Sequence, residues 1–329
     1  MANWQLICMI YEVSMSSISL VLNALVIYLC THKLSDSIRS YRNFFIFGAA
    51  IDSTYALTTA ITQMMLIDEG TKMIFVLESP FLPATSLCAR ISTAVLVFCS
   101  HLMLWSVCVQ FVNRLNVFCY RSFYSTRRIL CFSTLYLLWS VAHSFFLFYA
   151  YDIQDNTTTT LQLSTNPLFQ DREVPPYSAG DTQNGFTIFV LIDVLVIMSS
   201  NYVIIFYCGY KIHKKLRENR DVLQMETIRT QTRLSQILNF QAFIPLITVV
   251  IPISLMCVLP MFSISFTYLY IFKKATVNFM PIANPLIILV MIPRFRKSIS
   301  LLASRRFSST IKPIIVSVVP ANRRMTNSI

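Results

Sequence analysis

The chain has 329 residues, of which 55% are hydrophobic and only 13% charged, where a soluble domain carries roughly 25% charged residues. That balance excludes an ordinary soluble fold and points to a membrane protein. The formal net charge of +12 would suit a nucleic-acid binder, but where the charge falls along the chain argues against one.

A membrane-spanning helix needs about 20 consecutive apolar residues, and seven stretches qualify: 6–30, 43–67, 86–112, 129–151, 186–210, 238–261 and 265–292. Span one has no basic segment before it and is too long for a signal-peptide core, so it is read as a helix that stays. Lys33, Arg39 and Arg42 follow it. Span two carries Asp52, and span three runs from Cys88 and Arg90 past His101 to Asn113 and Arg114. Span four leads into a polar loop from Asp152 to Gly185, which holds the one Asn-x-Ser/Thr acceptor, Asn156-Thr157-Thr158. Span five carries Asp193, and the basic segment Lys211 to Gln236 extends it as a solvated helix that joins span six. Prolines 245, 252 and 260 punctuate span six. Span seven holds Asn278, Pro281, Asn284 and Pro285, then Pro293 and the run Arg294-Phe295-Arg296-Lys297.

Under an outside N-terminus, most of the 27 basic residues fall in inner segments and most acids outside. This asymmetry predicts an all-α membrane protein, a seven-transmembrane helix bundle with the N-terminus outside and the C-terminus cytoplasmic. Residues 1–292 form the membrane domain and 293–329 a cytoplasmic amphipathic helix and tail. The charge then faces anionic membrane lipids and a cytosolic partner, not nucleic acid, and Asn156 lies outside as a glycosylation acceptor.

Polar groups inside spans are costly, roughly 2.5–3.5 kcal/mol for a charge at mid-helix, and so mark candidate sites. Asn23 lies ten residues before Lys33, Asp52 ten after Arg42, and Asn284 ten before Arg294. All three sit about 15 Å from the same membrane edge, which predicts a mutually hydrogen-bonded layer; three separately back-bonded side chains are the alternative.

Several stretches resemble the rhodopsin-like seven-helix receptors, and within them the nematode serpentine chemoreceptors, class delta nearest. These are Asn23 to Arg42, Gln110-Phe111-Val112-Asn113-Arg114-Leu115, Gln241-Ala242-Phe243-Ile244-Pro245, and Pro281-Ile282-Ala283-Asn284-Pro285 followed by Pro293-Arg294-Phe295-Arg296. The resemblance implies a chemosensory receptor in the plasma membrane of a sensory neuron's cilium. It would bind a small-molecule ligand and activate a heterotrimeric G protein, with arrestin as a further partner at a tail holding Ser298, Ser300, Ser304, Ser308, Ser309 and Thr310. It makes Asn23, Asp52, Asn113, Arg114, Asn284 and Pro285 the activation switch, with Arg114 meeting the G protein. Asn113 stands where the family has an acid, Leu115 where it has a tyrosine, and Ile288 replaces another tyrosine. These departures keep a non-signalling receptor-like protein as an alternative, beside a ligand-gated channel or carrier. Cys88 stands where the family ties span three to the second outer loop, which has no cysteine here; it either pairs elsewhere, with Cys8 the candidate, or the staple is absent.

A pocket between the outer halves of the spans is the default ligand site. Leu96, Val97, Ser100 and His101 face it from span three, Asp193 from span five, Ile253, Ser254 and Cys257 from span six, and Tyr270, Lys274 and Asn278 from span seven. Asp193 and Lys274 could instead neutralise each other, and His101 could be a packing residue. Asn278 stands where an opsin resemblance would need its retinal lysine. The four histidines (His32, His101, His143, His213) have no paired metal spacing, and no phosphate loop or nucleophile elbow occurs. No cofactor and no enzymatic activity are expected.

Overall fold

The computed structural model describes residues 2–32, 41–69, 71–119, 126–151, 156–169, 173–218, 225–262, 264 and 275–310. In chain order its elements are α1 (Ala2–His32), α2 (Arg42–Thr62), the hairpin β1 (Met64–Glu69) and β2 (Lys72–Leu77), α3 (Ser86–Cys119), α4 (Thr126–Ala150), α5 (Asn156–Thr165), β3 (Tyr177–Asp181) and α6 (Gly185–Glu218). There follow α7 (Met225–Pro245), one π-helical turn (Leu246–Val250), α8 (Ile251–Met261), α9 (Met280–Met291) and α10 (Pro293–Thr310).

Among the described residues six helices are long and apolar enough to cross a membrane: Leu6–His32, Arg42–Thr62, Ser86–Phe118, Leu130–Ala150, Gly185–Glu218 and Gln231–Met261. The seventh candidate, Ala275–Met291, bends by 91° into Pro293–Leu301. Residues 265–274, expected to begin span seven, lie outside the described residues.

Backbone chemistry explains the breaks. The sixth span continues from α7 through α8 by way of the π turn, in which the Ile251 N–H reaches the Leu246 carbonyl; Pro252, one residue on, has no N–H to continue the ordinary ladder. The bend after α9 falls at Ile292, whose ψ of 111° is extended, the conformation that a following proline imposes. Beyond it Phe295 turns into the bundle with no exposed surface, while Arg294, Arg296 and Lys297 stay exposed. α10 thus crosses the end of the bundle with an apolar residue inward and cations outward.

Span two does not reach residue 67. α2 stops at Thr62, where Gln63 takes a left-handed conformation (φ 44°, ψ 44°) and its N–H caps the Thr59 carbonyl. The apolar run Met64-Met65-Leu66-Ile67 then forms a strand. Length and periodicity cannot separate such a run from the last turn of a helix. β1 pairs antiparallel with β2, Met64 opposite Leu77, and β2 pairs with β3, Lys72 opposite Asp181. Met65, Leu66, Ile67, Ile74, Val76 and Leu77 are all buried, so the sheet has no wet face and caps one end of the bundle. The polar outer loop of the sequence reading supplies β3 and α5.

α3 is the axis: 72% of its apolar window is buried, against 22% for α4. Helices in lipid gain little from burying apolar surface and are held by close packing and interhelical hydrogen bonds. The polar contacts between helices therefore matter more than their number suggests.

Candidate functional site

Directly beneath the sheet is a cavity walled by α3, α4, α6, α8 and the hairpin. Leu96, Val97, Ser100, His101 and Cys257 line it, joined by Leu66, Met73 and Phe75 from the sheet and by Tyr151. The free space is about 70 Å³, enough for a few water molecules and less than the roughly 150 Å³ cavity that holds benzene. The lining is apolar except for Ser100, His101 and the phenols of Tyr55 and Tyr151. His101 is 1% exposed, and neither of its ring nitrogens has a hydrogen-bond partner. Leaving a buried polar group unpaired costs about 1–3 kcal/mol, so water or a guest with a donor or acceptor is favoured beside this ring.

Contacts of Tyr151 and Thr93 hold the sheet over this space, and Arg90 ties α3 to α4 beside it. The Tyr151 phenol donates to Met73 Sδ at 3.6 Å, and its ring meets Phe75 edge-on at 5.4 Å. Thr93 of α3 hydrogen-bonds Ser178 of β3 at 3.0 Å. Arg90 donates to the Phe148 carbonyl at 2.9 Å from one nitrogen and 3.2 Å from another, with its guanidinium 4.2 Å over the Phe148 ring. Cys88 keeps a free thiol. The Thr93–Ser178 bond fastens the loop to α3 where the family resemblance implied a disulfide, and strand pairing fastens it to β2.

Asp193 does not join the cavity. It accepts from Trp139 Nε1 at 3.1 Å and from His143 Nδ1 at 2.7 Å, so its charge is directed at α4. The His143 ring lies 5.0 Å from that of His101. This triad of Asp193, His143 and His101 was missed in the sequence, because His143 carries no spacing signal toward residues on other helices. Among the described residues no cluster of three His, Cys, Asp or Glu side chains could hold a metal ion. Ile253 lines the cavity as expected, whereas Ser254 and Asn278 lie outside the lining and Val277 stands there from the last span. Asn278 is buried, with its amide nitrogen unpartnered. Tyr270 and Lys274 fall outside the described residues, and so does any pairing of Lys274 with Asp193.

The mid-bundle polar residues divide into two linked contacts. Asn284 Nδ2 donates to both carboxylate oxygens of Asp52, at 3.1 and 3.3 Å. Asn23 Nδ2 donates instead to the Pro281 carbonyl at 3.0 Å, which Ser19 Oγ also reaches at 2.9 Å. Pro285 has no N–H and so frees that carbonyl, its partner four residues back. Asn23 therefore bridges to α9 through the backbone and makes no direct bond to Asp52 or Asn284. The single three-membered layer expected from depth alone is replaced by two contacts that share α9.

At the opposite end of the bundle Arg114 is 1% exposed and donates from Nη2 to the main-chain carbonyl of Gln231 on α7. Asn113 is buried next to it in the chain. Tyr41, just ahead of α2, is close enough to feel the guanidinium: burial pushes its phenol up, and the Arg114 charge offsets part of that. α3 and the span-six helix are thus joined by a charge-assisted bond to a backbone acceptor. Asn156 begins α5.

Comparison with known proteins agrees with this architecture. The model of a family described as serpentine type 7TM GPCR chemoreceptor Str matches residues 9–300; the sequence reading had placed class delta nearest. A curated relative, serpentine receptor class r-10 of Caenorhabditis elegans, is 32% identical over 110 residues, a stretch that makes up 31% of this chain and 30% of that relative. The crystal structure of squid rhodopsin superposes with a TM-score of 0.59 at 16% identity, covering 94% of this chain and 87% of the rhodopsin, a likeness of fold alone.

Proposed function

Because the chain belongs to the serpentine chemoreceptor family Str, and so is a multi-pass membrane protein of the G-protein-coupled receptor type, we propose that it binds a compact, largely apolar molecule beneath the sheet and signals to a heterotrimeric G protein at the basic end. The sheet end faces outside and the basic end the cytoplasm, as the positive-inside rule requires. Residues 1–292 are the receptor domain and 293–329 the cytoplasmic helix and tail. The family and fold are those of receptors rather than enzymes. The setting is the plasma membrane, by kinship that of a sensory cilium, with Asn156 glycosylated and arrestin acting on the tail.

One observation carries this reading. A single helix, α3, supplies both the cavity wall at Leu96 to His101 and the latch residue Arg114, about 20 Å further along its axis. A ligand larger than the present space must displace Tyr151, Phe75 or the α8 wall, and a shift of α8 is transmitted through the π turn to α7 and the Gln231 carbonyl. Release of Arg114 would then open the basic end and free the arginine's guanidinium to meet the G protein, so that Arg114→Ala loosens the helices but lacks the contact that drives exchange. A ligand whose contacts with His101 and the apolar lining outweigh the cost of expanding the cavity selects the open state.

The test is nucleotide exchange on a co-expressed G protein while a panel of small volatile and water-soluble compounds is applied. A responding compound should lose its effect in His101→Leu and in Arg114→Ala, with binding retained only in the second. Full signalling by Arg114→Ala would refute the assignment of that residue. Surface expression with no exchange to any compound would favour the non-signalling reading, and a conductance from the purified chain alone the channel.

A further inference from the structure

A groove runs along the surface between α6 and α7 toward the basic end, with a volume of about 660 Å³. Its walls are Tyr202, Phe206, Phe240 and Phe243, and its floor is Phe111. It opens sideways to the membrane, since Phe206 is 63% and Phe243 57% exposed. Gly209 keeps it open: a Cβ there would lie 3.6 Å from the Phe111 ring, and anything longer would fill the slot. Along α7 the lining extends from Leu246 to Gln236, about 15 Å of helix, which is half of the roughly 30 Å hydrocarbon thickness of a bilayer.

At Tyr210 and His213 the groove passes into a second recess of about 740 Å³, and the chemistry changes. This recess is lined by His213, Lys214 and Arg217 of α6 and by Thr232 of α7. Asn239 and His213 hydrogen-bond at 3.1 Å at the boundary. Lys215 pairs with Glu218 at 3.6 Å, whereas among the described residues Lys214 and Arg217 form no ion pair. A soluble anion would leave the apolar groove empty, and an uncharged lipid would leave the two cations unanswered.

We propose that this continuous site holds one anionic phospholipid of the adjoining leaflet, its acyl chain between α6 and α7 and its phosphate at Lys214 and Arg217. The chain length that one leaflet supplies matches the apolar part, and the cations begin where the headgroup region begins. The occupant bridges α6 to α7, the helix that the Arg114 contact ties to α3, so it acts as a wedge or a clasp beside that latch. The inference rests on the groove and its charges and does not require the ligand or the G protein.

The full-length chain is reconstituted in phosphatidylcholine doped with phosphatidylserine, extracted, and its retained lipid counted by native mass spectrometry. Wild type should retain phosphatidylserine in preference to phosphatidylcholine. The pair Lys214→Gln with Arg217→Gln should lower that preference by about fivefold per charge removed. Gly209→Leu keeps both charges and should also release the lipid, whereas Gly209→Ala, whose Cβ meets only an ordinary contact, should retain it. Thermal unfolding in pure phosphatidylcholine checks that each variant is folded. Undiminished retention in a folded Gly209→Leu would overturn the proposal, because surface charge alone would then explain the binding. Lack of an anionic preference in wild type, or a cross-link through Phe243 to a second copy of the chain, would overturn it equally.

Discussion

Asn23 of α1 donates to the Pro281 carbonyl at 3.0 Å, the acceptor that Pro285 leaves without a donor in its own helix. The proline opens the ladder, and a side chain from another span closes it, so the kink becomes an interhelical joint. Ser19 Oγ shares the acceptor at 2.9 Å, and removing Asn23 alone leaves one donor in place. Asn23→Leu with Ser19→Ala should lower stability by about 1–2 kcal/mol, near the upper end of measured interhelical bonds in membranes, while each single change should cost less than half of that. Thermal unfolding in detergent measures it, and a double variant that melts like wild type would mean the carbonyl needs neither donor.

Gly180 on β3 allows the sheet to close over Tyr151. A Cβ at Gly180 would sit 3.0 Å from two atoms of the Tyr151 ring, and that ring is already wedged against Phe75 and Met73. Gly180→Ala should therefore cost about 1–3 kcal/mol, as overpacking does. Tyr151→Leu should relieve the clash, so that the double variant is less damaged than the two single losses together predict. Hydrogen exchange at Lys72–Leu77 should rise in Gly180→Ala and fall again in the double variant. Additive losses would show that the contact is not the cause.

Most of the spans and the level of Asn23, Asp52 and Asn284 were legible because bilayer thickness sets the length of apolar runs one segment at a time. The sheet was not. Met64 to Ile67 has no alternation to mark a strand, and the sheet it opens is completed by Tyr177–Asp181, more than a hundred residues later. Depth is readable from sequence but helix rotation is not. That is why Asp193 was aimed at the ligand when it turns to His143 and Trp139, and why Ser254 and Asn278 were expected in a wall that they do not join. The Asn23 acceptor was readable in principle: two prolines spaced four apart, Pro281 and Pro285, announce a free carbonyl at that depth.

His101 is a buried imidazole facing the cavity, and no protein group hydrogen-bonds either ring nitrogen. His101→Leu keeps the volume roughly constant and removes the unpaired groups, so the ligand-free protein should become more stable by about 1–3 kcal/mol while losing its response to any compound that needs the imidazole. A purely packing histidine would give the opposite pattern, with stability unchanged or lower and the response intact. Melting temperature and dose-response curves on the same preparation separate the two.

Arg114 donates to the main-chain carbonyl of Gln231, so the acceptor is the helix and not the side chain. Gln231→Ala should leave the contact and the closed arrangement of α3 and α7 as they are. Arg114→Ala should release α7. A charge-assisted hydrogen bond contributes about 1.5–3 kcal/mol, so its loss should shift the closed-to-open ratio by roughly 10- to 100-fold. Spin labels at Val117 on α3 and Met225 on α7, both exposed, report this directly: the distance distribution should gain a longer component in Arg114→Ala and not in Gln231→Ala. Arg114→Lys retains one donor on a shorter, differently shaped head and should fall between the two. If Gln231→Ala opened the helices as far as Arg114→Ala did, the latch would depend on the glutamine side chain, and the backbone-acceptor account would be wrong.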